Sequence, residues 1–170
     1  KNKRLRNKRF DEFHAKYNHL TSTVYPSVKS LYEAKFNYDV LCIGSDQVWN
    51  YMKGYSLEPF FACFDKNNTK KITYASSIGL SSLSVEAEQV FKKELANFAS
   101  ISVREQQASE ILEKLLNRKI DVVLDPTLIL NKQEWIEVAK YDMCPKEKYL
   151  LVYIVTIKPC DYVLTLARHI

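Results

Sequence analysis

The sequence predicts an α/β fold built on a doubly wound parallel sheet, and three features carry that prediction. Short apolar runs recur along the chain, amphipathic segments lie between them, and polar residues collect just after the runs. A strand buried on both faces reads as an unbroken apolar run, while a crossover helix reads as a stripe of 3.6-residue period.

Taken in order, the chain opens on charge. Lys1, Lys3, Arg4, Arg6, Lys8 and Arg9 fall in the first nine residues, with no acid among them. Removing those six from 25 basic residues leaves 19 against 20 acidic ones, so the rest is nearly neutral. A segment like this can meet nucleic acid or anionic lipid. No aromatic residue interleaves the first nine positions, however, which argues against a platform for single strands. A solvated helix start or loop is the simpler reading, and no nucleic-acid partner is expected.

Tyr38-Asp39-Val40-Leu41-Cys42-Ile43 then runs into Gly44-Ser45, as a buried strand feeding a tight turn would. Lys71–Ser76, closed by Gly79, is a second candidate strand, Ser100–Val103 a third and Asp121–Leu124 a fourth. Tyr149–Ile154 is a fifth. Between the second and third, Ser84 is a candidate N-cap, with Glu86 in the first turn and Ala87, Phe91, Leu95 and Phe98 on one face. Ala108, Ile111, Leu112 and Leu115 repeat that pattern after the third strand. Asp142–Lys148 is polar and holds Pro145, which places a domain boundary there. The expected division is 1–143 for a first domain and 144–170 for the start of a truncated second one.

Composition fits a soluble protein: 170 residues, 46% hydrophobic and 26% charged, enough for one core or one domain plus part of another. No run of about 18 apolar residues and no leader pattern occurs, so a cytoplasmic location is expected, with peripheral attachment at the inner face of a membrane left open. Cys42, Cys63, Cys144 and Cys160 are scattered, without zinc spacing, and Cys42 reads as a small core residue. No metal or cofactor is expected, and His14, His19 and His169 sit beside no motif. The missing initiator Met and the ending at Arg168-His169-Ile170 suggest a chain cut at both ends.

In an open α/β sheet ligands bind at the carboxyl ends of the strands, so the residues there are the candidates. Gly44-Ser45-Asp46-Gln47-Val48-Trp49-Asn50 follows the first strand and combines a turn-forming Gly with donors and acceptors. A self-satisfied turn with Trp49 plugging the core is the even alternative. Ser76 and Ser77 end the second strand, and Arg104-Glu105 the third.

Four segments in one order, IGSDQVWN, YASSIG, SVRE and VLDPTLIL with Trp135 after it, resemble the polysaccharide pyruvyl transferase family. The resemblance spans roughly Tyr38 to Trp135; each segment alone is weak, and their order is what makes it specific. The family's opening strand and most of its C-terminal half have no counterpart here. The resemblance implies two facing Rossmann-like domains in a GT-B-like enzyme, this chain being the N-terminal part. It implies phosphoenolpyruvate as donor, a sugar of a surface polysaccharide or its precursor as acceptor, and a pyruvate ketal as product.

Such a reaction needs acid–base groups, and cations for the donor's carboxylate and phosphate. Asp46 is the acid/base candidate. Gly44, Ser45, Gln47, Ser76, Ser77, Arg104 and Glu105 are candidates for substrate binding. Arg104 can fork onto a carboxylate or phosphate, or simply pair with Glu105 or another acid. Ser76 and Ser77 are read first as closing the strand, Asp125-Pro126 as architecture, and Trp135 as core or interdomain packing. A GT-B glycosyltransferase using a nucleotide sugar, a non-catalytic basic-tailed binding module, and a family member without activity are the competing readings.

Overall fold

The basic opening segment is helical. In the computed structural model, which describes residues 2–139, 141, 144–149, 151, 153 and 165, helix α1 spans Asn2–Tyr17. A short helix α2, Val28–Glu33, follows, with Ser27 and Ser30 closing a reciprocal capping box at its start.

Strand β1, Val40–Ile43, pairs in parallel with β2, Lys70–Thr73, so that Val40 lies opposite Lys70 and Ile43 opposite Thr73. Strand β3, Ser102–Val103, pairs in parallel with β4, Asp121–Val122. Bridges from Ile72 to Ser100 and from Ser76 to Val103 join the two pairs, so strand order follows chain order. Between these bridges lie three residues on the β2 side and two on the β3 side, and the extra one is accommodated where Ala75 adopts a left-handed φ of 50°. Thr73 and Ser102 lock this junction: Thr73 Oγ1 donates to the Ser102 carbonyl, and Ser102 Oγ donates to the Thr73 carbonyl, both at 2.9 Å.

Helix α3, Val85–Leu95, starts where Ser84 Oγ accepts the Ala87 N–H, the expected cap. It buries Phe91 and Leu95, with Phe98 just beyond its end. Helix α4, Gln106–Leu116, buries Ala108 and Leu112, keeps Ile111 and Leu115 partly buried, and packs against α3. The connection from β1 to β2 carries 3-10 turns at Tyr51–Lys53 and Glu58–Phe61. These bring Trp49 and Phe61 into a fully buried aromatic cluster with Phe91, ring centroids 5.2–6.1 Å apart. Trp49 satisfies its indole N–H on the Phe60 carbonyl at 3.0 Å.

The first four expected strands exist but are shorter: β2 stops before the left-handed Ala75, and ahead of β3 Ser100 only bridges singly to Ile72. Cys42 is a correction. Along β1 burial alternates, Leu41 and Ile43 being half-buried while Val40 and Cys42 are exposed, so the thiol is not in the core. An apolar run alone does not reveal that one sheet face is uncovered. Of the expected 142–148 boundary, residues 144–148 are described and hold no helix or strand, and the fifth expected strand is described only at Tyr149, Leu151 and Tyr153.

The chain divides into two compact units, Lys1–Ile129 and Leu130–Ile170. In the second, α5, Lys132–Val138, begins with a capping box between Asn131 and Glu134. Trp135 on this helix is 38% exposed and is not part of the buried core.

Candidate functional site

The polar residues after β1, β2 and β3 meet at the carboxyl ends of those strands. Gly44 makes the first turn possible: its φ is +133°, and a Cβ there would lie 2.1 Å from the Tyr74 carbonyl oxygen. Asp46 follows in a left-handed conformation, φ 68°, which a short polar side chain tolerates. Its backbone bridges to Ser76, and its carbonyl accepts N–H bonds from Val48 and Ser77 at 2.8 and 2.9 Å. The main chain thus fixes where the Asp46 side chain begins.

Ser76 is fully buried and donates its hydroxyl to the Ile43 carbonyl at 3.0 Å, closing the end of β1 onto β2. Ser77 is equally buried, and its Oγ finds no protein partner. Ser45 is half-buried. Gln47 is braced rather than presented: its side-chain carbonyl accepts from Asn50 at 3.3 Å, and its backbone carbonyl accepts from the Tyr55 hydroxyl at 2.6 Å. Gly79 leaves room for that side chain, since a Cβ there would lie 2.6 Å from it.

Arg104 is the hub. Its Nε donates to Glu105 Oε1 at 2.9 Å, one terminal nitrogen to Asp125 Oδ2 at 2.9 Å, and the other to Asp46 Oδ1 at 3.1 Å. The ion-pair alternative for this arginine is what the structure shows. The side chain of Arg104 is 25% exposed, whereas that of Asp46 is 83% exposed, so the carboxylate is the part offered to solvent. Asp125 also caps the turn Pro126–Leu128, accepting the Thr127 N–H and hydroxyl on Oδ1. The architectural reading of Asp125-Pro126 therefore fits, and Asp125 additionally holds Arg104.

Electrostatics follow from this geometry. The Gln47 backbone N–H, and then the Arg104 guanidinium, hold the Asp46 carboxyl below the usual carboxylate range. Thr127 and Arg104 do the same for Asp125. Three carboxylates, led by Glu105, push the Arg104 guanidinium upward, so it stays charged. The cluster nonetheless carries three acids against one base and is net negative. Arg104 uses three of its five N–H groups on these acids. Glu105 Oε2 is buried without a protein partner. No cluster of His, Cys, Asp and Glu suited to a metal ion occurs among the described residues.

These segments are the ones whose order resembled a known family, and the comparison with family models decides the matter. The model of polysaccharide pyruvyl transferases matches residues 1–169. The chain belongs to that family. No curated protein and no solved structure matches it. Membership of the pyruvyl transferases makes it a transferase-family chain in polysaccharide biosynthesis, and the match takes in α1 as well as the strand-end motifs. Among the described residues no helix is long and apolar enough to cross a membrane.

Sequence reasoning brought Asp46, Ser76, Ser77, Arg104 and Glu105 to one sheet edge, and they do meet there. It missed Tyr55, whose hydroxyl steadies the Gln47 backbone across eight residues, a contact no local pattern signals. It also gave Asp125 no part beside Arg104, because a Pro after an acid reads as a turn.

Proposed function

We propose that this chain forms part of an enzyme that transfers the pyruvyl group of phosphoenolpyruvate to a sugar, in a GT-B-like architecture of two Rossmann-like domains. The acceptor is a sugar of a surface polysaccharide or its precursor, the product a pyruvate ketal, and phosphate is released. In that reaction the donor's methylene carbon takes up a proton, becoming the ketal's methyl group. Two sugar hydroxyls add to the adjacent carbon, each losing its proton, and the phosphate departs with one of them.

The observation that carries this reading is Asp46, an exposed carboxylate held ionised at the end of β1 inside a family-matched segment. A carboxylate below its usual range is a poor proton donor at neutral pH. It is suited to accept a hydrogen bond from a sugar hydroxyl and to draw off its proton as the bond to carbon forms. The net negative surroundings also favour a neutral sugar here over the anionic donor. Arg104 then positions Asp46 and Asp125, and the cations that bind the donor's carboxylate and phosphate come from elsewhere in the enzyme. Gly44, Ser45 and Gln47 shape the turn, Ser76 and Ser77 close the strand end, and Glu105 holds Arg104 beside Asp46.

The test is phosphate release from phosphoenolpyruvate by the intact protein, over a panel of glycans, with the product read by NMR. Acceptor-dependent phosphate release with a ketal methyl signal is expected. Transfer from a nucleotide sugar, with phosphoenolpyruvate ignored, overturns the reading.

A further inference from the structure

The first 17 residues carry the entire formal charge of the chain. Residues 1–17 hold seven basic and two acidic residues, and beyond them 18 basic residues meet 18 acidic ones. Six of those cations, Lys3 to Lys16, fall within α1, Asn2–Tyr17, of which no described side chain is buried. Phe10, Phe13 and Tyr17 follow the i, i+3, i+7 spacing and fall within about 60° of one another around the helix. All three are exposed, Phe10 to 58%, and the Phe13 and Tyr17 rings touch with centroids 4.8 Å apart. Arg6 shares this arc one turn before Phe10, and Lys16 Nζ lies 4.8 Å over the Tyr17 ring. Leu5 and Leu20 are exposed as well.

We propose that α1 docks the protein on an anionic lipid surface, with Phe10, Phe13 and Tyr17 entering the headgroup boundary and the surrounding cations meeting lipid phosphates. Aromatic rings prefer that boundary, and Lys and Arg can lay their aliphatic stems along it while their charges reach the headgroups. The acidic partners on the helix do not cancel this charge: Glu12 pairs with Lys8 at 3.9 Å and with Arg9 at 3.4 Å, which leaves a strong surplus of cations. A second copy of α1 would bring like charge against like charge, and the remainder of the chain, with 18 basic and 18 acidic residues, carries no net charge to offset it. An anionic bilayer supplies both the charge and the apolar layer that the exposed stripe lacks. The docking stands independently of the transfer chemistry and would bring the enzyme to acceptors held at a membrane.

Flotation of the intact protein with vesicles tests this without any substrate. Vesicles of phosphatidylcholine with one third phosphatidylglycerol should bind at least about tenfold better than phosphatidylcholine alone, and binding should fall with added salt. Arg4→Gln combined with Arg6→Gln should weaken binding by about 25- to 30-fold, roughly fivefold for each cation lost. Phe10→Ser with Phe13→Ser should weaken it even at low salt. Because these side chains are exposed, circular dichroism should show both variants folded. Equal binding to neutral and anionic vesicles, or variants that bind like the parent, overturns the proposal. Preference for a single-stranded RNA over the anionic vesicles, or self-association through α1 with no lipid binding, overturns it too.

Discussion

At the strand ends one guanidinium gathers three carboxylates, whereas along α1 cations crowd a single helix with Asp11 and Glu12 as its acids. The first arrangement is fixed from beneath: the Asp46 backbone is bridged to Ser76, and Arg104 springs from the residue after β3. The second is fixed by nothing buried, since the described side chains of α1 are exposed or half-exposed. Charge held in place by a sheet edge can orient a reacting group. Charge on an exposed helix can only attract, and its attraction fades with salt. The two regions are thus suited to different tasks, and substitutions should separate them.

The largest effect should come from Asp46→Asn. The substitution keeps the shape of the side chain and part of its hydrogen bonding but removes the base. Turnover with phosphoenolpyruvate should fall by about 10²- to 10⁴-fold if Asp46 takes a proton in the transition state. The thermal midpoint should hardly move, because the side chain is mostly in solvent. Normal turnover would remove Asp46 from the chemistry and leave the strand-end cluster as scaffold.

Gly44→Ala should come next, as a loss of stability. The new Cβ would meet the Tyr74 carbonyl far inside contact distance, and the φ of +133° is strained for any L side chain. Mutations that force such a backbone shift typically cost about 1–3 kcal/mol. A denaturant titration measures this. A cost below about 0.5 kcal/mol, the level of ordinary surface changes, would show that the turn relaxes freely and that Asp46 is not held from beneath.

These two positions also mark what the sequence makes legible. Gly44 and Asp46 could be singled out because an apolar run ending in Gly and polar residues has a definite meaning in a parallel sheet. The stripe Phe91, Leu95, Phe98 was equally legible, and these residues are buried as expected. Cys42 was not, because an apolar run carries no record of whether both faces of its strand are covered. Nor was the bond from Arg104 to Asp46, 58 residues apart, since only the strand register brings them together. The sequence offered Arg104 two roles, and it gave no way to place the three acids that engage this side chain.

Arg104→Gln should have a modest effect on stability and the most informative one on pH. The folded carboxyls of Asp46 and Asp125 titrate below their ordinary value, so their contribution is present above about pH 4, the unfolded carboxylate range. It is lost as pH falls through the folded values. Without the guanidinium those values should rise, and stability at neutral pH should drop only modestly, because Asp46 is so exposed. The main support of the Asp46 carboxylate, the Gln47 N–H, remains in the variant and limits the loss. The gap between variant and parent should therefore be widest near neutrality and close on acidification below about pH 4. A gap that stays constant with pH would mean that Arg104 acts through packing instead of charge. Kinetics separate the two roles of this arginine. If it positions Asp46, the variant should lose kcat while its KM for phosphoenolpyruvate holds; a raised KM with kcat intact would return Arg104 to the donor. In α1, by contrast, Lys8→Ala removes an exposed pair with Glu12 and should change stability by no more than about 0.5 kcal/mol. A similar loss for both variants would erase the distinction, because pairing on a fixed sheet edge would then be worth no more than pairing on an exposed helix.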